Sequence, residues 1–172
     1  RLRLASRAMN DQAPQFGERG DFSISCEVDA PRQTVFAAYT DPDAIPHFWA
    51  PEGVEIPRES VELEPVAGGA FNMVMKVGED EFPMTGTFAE VVEPEYVAFH
   101  EPGLDIRCVI SFDDIGDDRT RVTVLQTNVP EEFRGENAEM GFRSSFTRLI
   151  TYLGGEAAGG AGGAAASGAG GD

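Results

Sequence analysis

Six segments between Arg58 and Thr127 alternate apolar and polar residues with period two, and turn residues separate them. Val61-Glu-Leu-Glu64 alternates. Phe71, Met73, Met75 and Val77 share one face of the next segment, with Asn72, Val74 and Lys76 on the other. Phe82, Met84, Gly86 and Phe88 share a face of a third, which runs to about Val92. Tyr96–His100, Leu104–Phe112 and Thr120–Thr127 complete the run. Gly68-Gly69, Gly78-Glu-Asp-Glu81 and Glu93-Pro94 punctuate it. Side chains two apart lie on the same side of a strand, so each segment has one face to bury. Short turns join antiparallel neighbours, because a parallel crossover needs a dozen residues or more. The pattern therefore predicts an antiparallel meander.

The flanks complete the architecture. Phe22-Ser-Ile-Ser-Cys-Glu-Val28 reads as one earlier strand. Pro31 is pre-set for the first turn of a helix carrying Val35, Phe36 and Tyr39. Asp41-Pro42 predicts a cap and first position of a second short helix through about Phe48, which Pro46 is expected to distort or end early. Ala138, Phe142, Phe146, Leu149, Ile150 and Leu153 recur at spacings of three and four. They predict an amphipathic helix of about 17 residues that ends at Gly154 as its C-cap. The expected fold is α+β: one N-terminal strand plus a six-strand meander form a curved antiparallel sheet around the long C-terminal helix, with two short helices after the first strand. A sheet bent around a helix leaves a space between them, where a ligand can sit.

The chain has 172 residues, enough for one domain. The folded part is expected at 21–153. Residues 1–20 lack periodicity and are expected to be a disordered tail. Residues 154–172 hold 9 Gly and 7 Ala and no large apolar side chain, so they are expected to be disordered too. The chain opens on Arg1, and Met9 is expected as the natural start. The first eight residues are too short and too charged for a signal peptide.

Thirteen basic against 30 acidic residues leave a net charge of −17, and Lys76 is the only lysine. Phosphates would be repelled, which excludes nucleic acid and an anionic membrane surface as partners. No apolar run approaches the roughly 20 residues of a membrane span. The acidity suits a halophilic, salt-rich cytoplasm, where ions screen carboxylate repulsion. A GC-rich genome that favours arginine is the alternative. Cys26 and Cys108 lie in apolar segments and read as buried structural thiols.

Neither His47 nor His100 has a Cys or second His at metal-ligand spacing, and no phosphate loop, dinucleotide fingerprint or nucleophile elbow is present. No cofactor is called for, and Gly68-Gly69 reads as a hairpin turn. His47-Phe48-Trp49-Ala50-Pro51, with the single Trp, could close a cavity mouth while His47 polarises a bound carbonyl. It could equally be a helix end packing aromatics on the sheet. Met73, Met75 and Met84 with Phe71, Phe82 and Phe88 suit an adaptable apolar wall or ordinary core. Arg107 is out of phase with Leu104, Ile106, Cys108 and Ile110, so it faces outward if that apolar set faces inward. Glu27, Glu90 and Glu101 are acids without a visible partner. The expected ligand-binding set is Trp49, Phe71, Met73, Met75, Met84, Phe88, His100, Phe142 and Phe146, with no catalytic or metal-ligating residue.

Several stretches are similar to a known family. Val28-Asp-Ala-Pro31-Arg-Gln-Thr-Val35-Phe36-Ala-Ala-Tyr-Thr40-Asp41-Pro42 resembles the opening of the START-like superfamily. More narrowly, it resembles the branch homologous to the C-terminal domain of the heat-shock-protein-90 ATPase activator. Phe48-Trp49-Ala50-Pro51, Gly68-Gly69-Ala70-Phe71, Gly86-Thr-Phe-Ala-Glu90-Val-Val-Glu-Pro94 and Thr120-Arg-Val-Thr123 follow in the family's order. Gly141-Phe142 stands where the branch has Gly-Trp before its final helix. The resemblance covers about 22–153 and implies the helix-grip fold, with an apolar cavity between sheet and long helix. It does not fix the function, and the expected one is binding of a small hydrophobic or amphipathic molecule. A chaperone-cofactor module regulating an ATPase, with a protein partner or a homodimer, is the alternative. So is a polyketide-cyclase-like enzyme, which would need inward-facing His100, Arg107 or Glu101 to converge.

Overall fold

A computed structural model of the protein describes residues 17–154, so the tails 1–16 and 155–172, with Met9, lie outside the described residues. Seven strands form one antiparallel sheet. They are β1 (Arg19–Val28), β2 (Glu62–Leu63), β3 (Ala70–Val77), β4 (Asp80–Val92), β5 (Tyr96–Glu101), β6 (Ile106–Gly116) and β7 (Arg119–Pro130). The order β1-β7-β6-β5-β4-β3-β2 is the predicted meander with the N-terminal strand added beside the last one. The helices are α1 (Arg32–Tyr39), α2 (Ile45–Phe48) and α3 (Glu136–Tyr152), the last of 17 residues.

The alternation sets the two faces. Ile24, Val28, Phe71, Met73, Phe88, Val97, Phe99, Cys108, Ile110, Phe112, Val122 and Val124 all turn inward and are buried. Parity is kept across the ladder because directly paired residues share a face: Ile24 lies opposite Val124, Ile110 opposite Val124, and Phe99 opposite Cys108. One end of this face is covered by α1, whose Phe36 meets Phe112 edge-on at 5.8 Å between ring centroids. Along the rest runs α3, burying Ser145, Phe146, Leu149 and Ile150.

Local chemistry accounts for most boundaries, and for some differences from expectation. β1 begins at Arg19, two residues before the expected limit at 21, because Arg19 and Gly20 pair with Pro130 and Val129. The second helix does not open at Asp41. The Asp41 carboxylate accepts the Asp43 N–H at 2.8 Å and its carbonyl accepts that of Ala44, which makes a turn. The helix starts at Ile45, so Pro46 falls in its first turn, where a missing N–H costs nothing. Gly141-Phe142 lies inside α3 rather than before it.

The β3–β4 turn is shorter than predicted. Val77 already pairs with Asp80, which leaves Gly78-Glu79 at the tip with Gly78 at φ +61°. This hairpin end runs past the core, so Val77 and Phe82 are 47% and 53% exposed. Gly69 is fixed by contact instead of by φ, since a Cβ there would lie 1.9 Å from the Glu64 carbonyl oxygen. At the other end Gly154, at φ +84°, caps α3 as predicted by donating its N–H to Thr151.

Candidate functional site

A cavity of about 620 Å³ opens between the middle of the sheet and the first half of α3. Its floor is the inner face of β5, β6 and β7: Phe99, Ile106, Cys108, Ile110, Val124 and Gln126. Its roof is Ala138, Gly141, Phe142, Ser145 and Phe146 of α3. Trp49, Ala50 and Pro51, with Met75, Pro83 and Met84, complete the wall. The turn between β5 and β6 contributes Glu101, Gly103 and Leu104 to the rim.

Why there is a space at all can be read from α3. Gly141 faces the cavity, and a Cβ built on it would meet nothing within 4 Å. One turn of the roof thus carries almost no side chain. Farther along, α3 is tied down. Ser145 Oγ donates to the Phe48 and Trp49 carbonyls at 2.5 and 3.1 Å. Arg148 donates to the Ala50, Pro51 and Pro46 carbonyls at 2.5, 3.3 and 3.3 Å. Ser144 Oγ accepts the Glu52 N–H at 2.9 Å. These bonds answer the free carbonyls at the end of α2 and hold Trp49 in the wall.

Of the predicted set, Trp49, Met75, Met84, Phe142 and Phe146 line the cavity. Phe71, Met73 and Phe88 do not. They share the inward face but are filled in by neighbours: Phe71 stacks on Phe99 at 4.4 Å and 7°, touches Trp49 at 5.0 Å, and meets Phe88 edge-on at 5.2 Å. His100 is not in the cavity either. Phe99 and Glu101 turn inward, so His100 between them turns out, pairing with Asp105 at 2.8 Å and lying opposite Arg107. His47 is at the surface, stacked on Tyr152 at 5.1 Å and 15°. Phe142 stacks on Phe22 at 5.4 Å.

The other acids are also occupied. Glu27 binds Arg119 and Arg121 at 3.0 Å each, and Glu90 accepts the Tyr96 hydroxyl at 2.6 Å. The Arg121 hydrogen bond, with help from Arg119, holds the Glu27 carboxyl below its usual range. His100 does the same for Asp105. Of the three residues proposed for a cyclase-like site, Glu101 lines the cavity, while His100 and Arg107 stand on the opposite face of the sheet, so no two of them converge there.

Sequence reasoning missed the floor residues Phe99, Cys108, Ile110, Val124 and Gln126, as well as Tyr39, which also lines the cavity. The inward phase of Ile106, Cys108 and Ile110 was the available signal. The thiols behave as buried groups. Burial pushes Cys26 up to about 12 and raises Cys108 further, so both stay protonated. Both are free cysteines.

The family model described as Activator of Hsp90 ATPase homolog 1-like protein matches residues 29–154. No curated protein matches the sequence. Among solved structures, a protein from Nitrosomonas europaea is 22% identical with a TM-score of 0.68, over 78% of this chain and 94% of that one. One from Chromobacterium violaceum is 21% identical with a TM-score of 0.70, over 76% and 95%. The AHSA1 protein of Silicibacter pomeroyi is 22% identical with a TM-score of 0.66, over 78% and 97%. At these identities the likeness is one of fold, the helix-grip arrangement of sheet and long helix.

Proposed function

The chain belongs to the family of Activator of Hsp90 ATPase homolog 1-like proteins, and on that premise we propose that it binds a small hydrophobic or amphipathic molecule between its sheet and α3. The observation that carries this reading is the 620 Å³ cavity with an almost wholly apolar wall. Its size is that of pockets that enclose small organic molecules. Transfer of apolar ligand surface from water into it would drive binding at about 25 cal/mol per Å². The site residues under this proposal are Trp49, Met75, Met84, Phe99, Phe142 and Phe146. The proposed setting is the cytoplasm. No helix among the described residues is long and apolar enough to cross a membrane.

Native mass spectrometry of the purified protein tests the reading directly, together with uptake of an apolar fluorophore read through Trp49. A bound small molecule, or saturable uptake that quenches Trp49, is the expected result. A protein that carries nothing and takes up no fluorophore would refute it. The family match itself favours a second reading, a cofactor-like module acting on a partner ATPase. Stimulation of such an ATPase by the purified chain, unaffected by filling the cavity, would favour that reading over the first.

A further inference from the structure

The polar groups of the cavity carry an inference that rests on the ligand-binding reading. Among the described residues no Arg, Lys or His lines the cavity, and the one charged residue there is Glu101. Its carboxylate already accepts the Gly103 and Leu104 N–H groups at 2.9 and 2.7 Å, which shapes the β5–β6 turn at the rim. The nearby cations are committed elsewhere. Arg148 serves three backbone carbonyls, and Arg143 binds Glu139 at 2.6 Å.

Neutral groups remain. Gln126 on β7 sits directly opposite Cys108 on β6 and Phe22 on β1, on the inner face. Tyr39, fully buried, stands close enough to Cys26 and Cys108 to feel both thiols. Both side chains line the cavity, Gln126 half-buried, and no hydrogen bond joins the Gln126 amide or the Tyr39 hydroxyl to another described side chain or carbonyl. An amide with two donors and an acceptor, and a hydroxyl elsewhere in the same apolar wall, each offer a hydrogen bond to a polar atom of a ligand. An anion brought there would lose its hydration, find no counter-charge, and feel the Glu101 carboxylate.

We infer that the cavity selects an uncharged molecule whose hydroxyl or carbonyl oxygen meets the Gln126 amide or the Tyr39 hydroxyl, and that it rejects the carboxylate of the same carbon skeleton. The test titrates the full chain with 1-decanol, decanoate, decylammonium and the hydrocarbon naphthalene, by calorimetry and, for the aliphatic probes, by Trp49 fluorescence. At pH 7.5 decanol should bind at least about tenfold more tightly than decanoate, given the penalty for an unpaired buried charge. Decanoate affinity should fall about tenfold per pH unit above the acid's own pKa, because only the protonated acid enters.

Tyr39→Phe or Gln126→Leu should weaken decanol roughly two- to tenfold, the worth of one hydrogen bond, and leave naphthalene unchanged; decanol affinity unchanged in both variants would overturn the inference. Decanoate or decylammonium binding as tightly as decanol would overturn the inference while leaving the ligand-binding reading intact. If none of the four binds, that reading falls and this inference with it.

Discussion

Gly141→Leu tests the cavity and its use in one experiment. Gly141 sits inside α3, where glycine is less favourable than leucine by roughly 0.8 kcal/mol. Its missing side chain faces open space, with nothing within 4 Å of a Cβ. Leucine there would regain that helix propensity and extend four carbons into the apolar cavity. Partial burial of those carbons adds about 1 kcal/mol, less than the 1.5–3 of a fully buried leucine because the cavity is partly open. The expected gain is therefore about 1–2 kcal/mol, which raises Tm by roughly 3–8 °C in a domain of this size.

The same carbons occupy part of the 620 Å³, so uptake of an apolar fluorophore should weaken tenfold or more. Gly141→Ala is the control. It keeps the propensity gain, adds one methyl, and should retain uptake. Thermal unfolding and fluorophore titration of the three proteins give the answer. Gly141→Leu less stable than Gly141→Ala would mean the space is not open. Gly141→Leu with wild-type uptake would mean the ligand sits elsewhere.

Gly69→Ala should destabilise by about 2 kcal/mol or more, because its Cβ would lie 1.9 Å from the Glu64 carbonyl oxygen and only backbone could yield. A shift in the urea midpoint measures this, and an unchanged midpoint refutes it. Acid should weaken the fold through Glu27 and Asp105. Both carboxyls titrate below their ordinary values in the folded chain, so between the two values the unfolded chain binds more protons and stability rises with pH. Their contribution is complete above about pH 5 and is lost as pH falls through the folded values. The urea midpoints of wild type and Glu27→Gln should converge on going from pH 6 to pH 3. With −17 net charge, stability should climb with salt as repulsion is screened. A Tm that fell between 0.1 and 2 M potassium chloride would refute the salt-rich cytoplasm.

The architecture was legible because it rests on local periodicity. Alternation over Ala70–Val77 and Ile106–Phe112 states which side chains turn inward, and the 3–4 spacing from Ala138 to Leu153 states which face of α3 meets them. Gly154 marks the helix end by its own conformational freedom. His100 shows how far parity reaches: Val97 and Phe99 are inward, so its outward position was already implied, although its chemistry made it a site candidate. What local pattern could not decide is which inward residue borders empty space. Phe71, Met73 and Phe88 have the same phase as Met75 and Met84, yet Trp49 and Phe99 fill the room in front of Phe71. That depends on where α3 lies, which Ser144, Ser145 and Arg148 settle by binding a loop nearly a hundred residues away. The period of the chain alone determined two faces and a helix to cover one of them. Only the packing of α3 on α2 and the sheet decided that the uncovered volume falls over Cys108, Ile110 and Gln126, because a cavity is set by the distance between elements and no single element's sequence encodes that distance.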